Sequence, residues 1–234
     1  MGVARDIWNG LDWSVLTNML LRIIPAFVCI TLHELAHGLV AYRLGDNTAK
    51  DAGRLTLNPI RHLDIMGLLS MMLFGFGWAK PVPVNMANFK KPKHGMALTA
   101  LAGPVTNLLI TAVALFLYGF FLSTFWPALS AGRGIGYYVA QTLLQTAYLS
   151  IAFAIFNFLP LPPLDGSKVL FSVLPDGLYL KLMYYERYGM IFLFLLLFLM
   201  NNSGVNPLGT VAYYVFNKLS FFADWGLGLH GLIF

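Results

Sequence analysis

The stretch CITLHELAHGLVAY, residues 29–42, sets two histidines and a glutamate among apolar residues. On a helix His33 and His37 stand at i and i+4, one turn apart on one face, where both imidazoles reach a single ion. Glu34 is rotated about 100° from His33, which brings its carboxylate beside that ion without making it a ligand. This arrangement suits a base acting on water held at a zinc ion. The chain has 5 histidines, and its glutamates are Glu34 and Glu186 alone, so HExxH is expected by chance on the order of once in a thousand such chains. Ionisable groups in a lipid span cost roughly 2.5–3.5 kcal/mol each near its centre and mark functional sites. Mere pairing of these groups between helices is therefore the weaker account.

Catalytic zinc takes three protein ligands and leaves a fourth position to water. The candidates for the third are Asp46, Asp51, Asp64, Asp165, His62, His94 and Glu186. Asp165 stands out, because LPPLDG puts a carboxylate on a proline-braced turn where an apolar helix ends; its competing role is to cap a helix beginning at Gly166 or Ser167. Asp64 reads as a cap for the segment after it. His62, His94 and His230 read as interfacial residues near loops or the tail.

The elements that must position these groups lie in lipid. Of 234 residues, 58% are hydrophobic and 11% charged, against about 25% charged in soluble domains. The sequence reads as one all-α polytopic membrane domain over residues 1–234, a bundle of four to six transmembrane helices. Spans are expected at about 13–44, 95–123, 136–159 and 188–200. Residues 54–86 read as a small membrane-associated β or re-entrant segment, with a short strand at 54–57 and a re-entrant piece at 65–75, too short to span. Within it, Pro81 and Pro83 direct their missing N–H groups to one edge, so a strand here keeps donors only on the other. The apolar tail, 207–234, either spans or lies in the interface.

The net charge of +5 implies no nucleic-acid partner, because the basic residues fall between the apolar runs and orient them in the membrane. Arg43, Lys50, Arg54, Arg61, Lys80, Lys90, Lys91 and Lys93 gather in one connection, and Lys168, Lys181 and Arg187 in another. That distribution puts the N-terminus outside, with HELAHG and PLDG on the cytoplasmic half. The single cysteine, Cys29, excludes a disulfide framework and reads as a small packed residue. The first apolar run lacks a cleavage site and reads as a retained span.

HELAH, followed in order by GRLTLNPIRHLD, GFGWAKPVPVN, ALAGPVTN and NFLPLPPLDG, resembles the site-2 protease family of intramembrane zinc metalloproteases in its short prokaryotic form. The resemblance covers about residues 25–168. It implies one Zn2+ held by His33, His37 and Asp165, with Glu34 as general base and Asn157 steadying substrate or oxyanion. Asn107 matches a further family asparagine, and Pro81, Val82, Pro83 and Val84 match a strand proposed to receive substrate. The implied partners are single-span or other membrane proteins and the bilayer, in a prokaryotic cytoplasmic membrane. Many relatives carry a PDZ or CBS domain, for which this chain has no room. Two rivals stay open: a transporter or metal-binding membrane protein using the same histidines, and a membrane zinc protease whose third ligand is Glu186.

Overall fold

The computed structural model describes residues 13–67, 78–203 and 207–233. Its helices are α1 (Trp13–Arg43), α2 (Pro92–Phe120), α3 (Leu122–Ala131), α4 (Ile135–Phe158), α5 (Asp165–Ser172), α6 (Asp176–Tyr185), α7 (Gly189–Ser203), α8 (Pro207–Leu219) and α9 (Phe221–Ile233). Three stretches are long and apolar enough to cross a membrane: Ile23–Arg43 within α1, Pro92–Phe120 and Ile135–Phe158. They coincide with the first three expected spans. The fourth, expected at 188–200, is α7, whose 15 residues reach about 22 Å at 1.5 Å per residue, short of a hydrocarbon core of about 30 Å. The tail is two helices of 13 residues each, packed on α4 and α2.

α1, α2 and α4 each pack on the other two. Their seam is built from small residues. Ala140, Ala147 and Ala154 recur every seventh position on α4 and are fully buried, and Ala147 packs with Ala114 of α2. Lipid is as apolar as leucine and supplies little hydrophobic drive between helices, so small side chains that let backbones approach, and interhelical hydrogen bonds, do the joining. The Thr111 hydroxyl donates to the Ala147 carbonyl at 3.2 Å, and the Ser150 hydroxyl to the Asn107 carbonyl at 2.8 Å. Large apolar residues such as Val28, Leu39, Leu109 and Val113 point outward, as lipid-facing positions should.

The expected β segment is not a sheet. Among the described residues the only pairing is an isolated antiparallel bridge between Leu63 and Ala79, and residues 54–57 form no strand. Most of the expected re-entrant run at 65–75 lies outside the described residues. What organises this region is side-chain bonding. Asp46, wholly buried, accepts from the Asn85 N–H and the Asn88 side chain, both at 2.7 Å, and from the N–H and hydroxyl of Thr48. It ties the end of α1 to the chain entering α2. His62 is also fully buried and donates Nε2–H to the Thr56 carbonyl at 3.0 Å. That corrects its reading as an interfacial residue: the turn Pro59–His62 folds the ring inward, where it finds a carbonyl.

Burial alone would push the Asp46 carboxyl up, but hydrogen bonds from Thr48, Asn85 and Asn88 hold it below the usual carboxylate range. A carboxyl with a depressed folded-state pKa contributes fully above about pH 4 and loses that contribution as pH falls through the depressed value. Asp46→Ala should lower stability near neutral pH by about 2–3 kcal/mol and lose less than the native chain does on acidification. Thermal melts of the detergent-solubilised protein across pH check both parts.

Candidate metal centre

His33 and His37 sit on α1 with rings in an edge-on arrangement, their centroids 4.6 Å apart. Their Nε2 atoms are 3.0 Å apart. Asp165, the first residue of α5, brings Oδ2 to 3.1 Å from the His33 Nε2 and 3.2 Å from the His37 Nε2. Among the described residues these three form the one group of histidine, cysteine and carboxylate side chains able to hold a metal ion. A tetrahedral zinc site with bonds near 2.0 Å has ligand-to-ligand edges of about 3.3 Å, so the triangle of donor atoms fits such an ion. The donor set of two imidazoles and one carboxylate is that of catalytic zinc.

Asp165 does not cap its helix: the residue before it, Leu164, stands at the cap without a side-chain bond. Gly166 explains how the carboxylate arrives. A Cβ there would run into the carbonyls of Phe158 and Leu159, so only glycine lets α5 start against the end of α4. Burial alone would raise the Asp165 carboxyl, but the attraction of His37 and hydrogen bonds from both imidazoles hold it well below the usual carboxylate range.

The other expected residues divide sharply. Glu34 lies beside the triad on α1, and its Oε2 accepts the Val82 N–H at 2.8 Å. Val82 is buried, whereas Pro81 is exposed and Pro83 and Val84 are half-buried. Asn107 is fully buried with its Nδ2 at 3.2 Å from the His33 Nδ1. Asn157 turns its Nδ2–H back onto the Phe153 carbonyl of its own helix at 3.0 Å. Glu186 is away from the triad, 3.6 Å from Lys168. Asp46 is spent on its turn, Asp64 accepts from the Gly67 N–H, and Asp51 and His94 are exposed.

Two parts of the site escaped sequence reasoning. His37 donates Nδ1–H to the Thr99 carbonyl at 2.6 Å, which leaves its Nε2 lone pair free for a metal. Gly103 faces both rings: a Cβ there would meet the His37 Nε2 and would lie 2.5 Å from the His33 Cε1 and 2.6 Å from its Nε2. The one trace in the sequence is TALAGPVTN, where Thr99, Gly103 and Asn107 stand four apart on one helix face without saying what they meet.

Comparison with known proteins decides the family. Over 212 residues, 91% of either chain, the sequence is 41% identical to the candidate zinc metalloprotease YwhC of Bacillus subtilis. The chain belongs to peptidase family M50, the site-2 proteases. Residues 130–200 match the model of Peptidase family M50, a stretch that carries Asn157 and Asp165, while the alignment to YwhC leaves too few residues outside it to exclude HELAH. The candidate zinc metalloprotease Rip2 of Mycobacterium tuberculosis is 30% identical over 148 residues, 61% of this chain and 53% of its own. The zinc metalloprotease MJ0392 of Methanocaldococcus jannaschii is 27% identical over 166 residues, 71% of this chain and 36% of its own. No solved structure matches the chain significantly. An M50 enzyme is a metalloprotease, which removes the transporter from contention.

The close approach at Gly103 gives a direct test. Gly103→Ala should leave the chain folded in the membrane yet lower zinc affinity at least about tenfold, read as metal content after dialysis against a weak chelator. Zinc content equal to the native chain's would contradict the geometry.

Proposed function

We propose that this M50 member is an intramembrane zinc endopeptidase that cleaves a peptide bond within or near the membrane span of another membrane protein. The observation that carries the reading is the His33–His37–Asp165 triangle beside Glu34, reached from helices long and apolar enough to span. His33, His37 and Asp165 would hold the zinc. When bound, zinc supplies Lewis-acid polarisation of the scissile carbonyl and acidifies water.

The remaining work falls to the chain's own groups. Glu34 takes the proton from the attacking water and later delivers it to the leaving amine. Its Oε2 is held by the Val82 N–H, which leaves Oε1 for the water. Asn157 steadies the developing oxyanion, an interaction worth about 3 kcal/mol for one such donor; to do so its amide leaves the Phe153 carbonyl. The segment Pro81, Val82, Pro83 and Val84 lies next to Glu34 and supports a role in receiving an unwound substrate. The grouping of basic residues supports a site on the cytoplasmic half, and the likeness to short prokaryotic relatives supports a prokaryotic cytoplasmic membrane.

Glu34→Gln should keep its zinc and lose cleavage by about 10²–10⁴-fold, whereas His33→Ala should lose the metal itself. The assay is cleavage of a panel of single-span substrates in vesicles, with and without a chelator, alongside metal analysis. Full activity in Glu34→Gln would refute the assigned base.

A further inference from the structure

The buried amide of Asn107 makes one side-chain contact, to His33, and its Oδ1 has no partner at all. An orphaned buried carbonyl oxygen is destabilising, so the arrangement needs a reason. As it stands, Nδ2–H of Asn107 donates to Nδ1 of His33. That leaves the His33 proton on Nε2, where it points at the Asp165 Oδ2 and the His37 Nε2. A ring protonated at Nε2 cannot ligate through that atom. A half-turn of the amide exchanges its two ends, which have nearly the same shape. Oδ1 then accepts Nδ1–H, the orphan acquires its partner, and Nε2 presents a lone pair to the ion.

Building on the zinc reading above, we infer that Asn107 is the positioning residue of His33, its carboxamide oxygen taking the Nδ1 proton and so fixing the ring and tautomer that present Nε2 to the metal. The two imidazoles are then treated alike. Both gain an Nδ1–H acceptor from one face of α2, the Thr99 main-chain carbonyl for His37 and the Asn107 side chain for His33. The helices run antiparallel, so positions 99 and 107 flank Gly103 and meet 37 and 33 in reverse order. Asn107 is itself braced through its main chain, whose carbonyl accepts from Ser150 at 2.8 Å and from Thr111 at 3.0 Å. Those bonds survive any side-chain substitution, which separates positioning of the ring from packing of the helices.

The experiment compares the wild-type chain, Asn107→Leu, Asn107→Asp and Ser150→Ala in detergent micelles. It measures the zinc dissociation constant by chelator competition and the visible spectrum of the cobalt-substituted protein. Asn107→Leu keeps the branched four-atom outline and loses the acceptor, so zinc should bind about 10–100-fold more weakly with an altered cobalt spectrum. Asn107→Asp restores an acceptor of the kind usual behind a metal-bound histidine and should bind within about threefold of wild type, with the native spectrum. Ser150→Ala, which removes one seam hydrogen bond and leaves the Asn107 carboxamide in place, is the control for loosened packing: it should keep the native spectrum and lose less zinc affinity than Asn107→Leu. Native affinity in Asn107→Leu overturns the inference, and so does an Asn107→Asp variant as weak as Asn107→Leu. A wild-type chain that takes up no zinc defeats the metal reading and this inference together, whereas wild type that binds zinc and cleaves nothing defeats only the proteolytic reading.

Discussion

Everything in this molecule is arranged around bringing two imidazole nitrogens and a carboxylate oxygen to within 3.0–3.2 Å of one another inside an apolar bundle. A carboxylate taken out of water alone costs far more than a helix interface returns. Here that cost is offset because the carboxylate and the ring nitrogens face one another. Asp165 meets both rings, and the rings are held from behind by Thr99 and Asn107.

The packing follows from that demand. For His33 and His37 to be braced by α2, the two helix axes must run close at one level, and Gly103 sits at that level with no side chain to hold them apart. For Asp165 to reach the same point, α5 must begin directly against the end of α4, which Gly166 permits. The seam between α2 and α4, with its recurring alanines and the hydroxyls of Thr111 and Ser150, fixes the register that aligns these two close approaches. Lipid contributes no preference for one register over another, so small side chains and hydrogen bonds must specify it.

This explains why some of the site was legible in the sequence. HExxH carries its geometry locally, since i and i+4 share a helix face whatever surrounds them. Asp165 was legible because its prolines and glycine mark a turn at a helix end. Gly103 and the Thr99 carbonyl were not, since their roles exist only once α2 is laid antiparallel on α1, a relation between residues more than sixty positions apart. His62 was misjudged for the same reason: a polar neighbourhood in sequence says nothing about a ring folded beneath it. The strand expected near residues 81–84 rested on proline spacing and the family resemblance, which describe an extended chain well but not whether a partner strand pairs with it.

That extended chain has consequences for how substrate could lie there. Pro81 and Pro83 have no N–H, the Val82 N–H is spent on Glu34, and the Lys80 N–H on the His62 carbonyl. Across residues 80–83 every main-chain donor is therefore absent or engaged, and what this run offers is carbonyl oxygen. An incoming chain that pairs here must donate to it, which an unwound helix can do and an intact one cannot, because its own N–H groups are satisfied internally. On the reading proposed above, the feature that fixes the Glu34 carboxylate would also make this edge selective for peptide that has already lost its helical bonds, the bonds that protect a membrane span from hydrolysis.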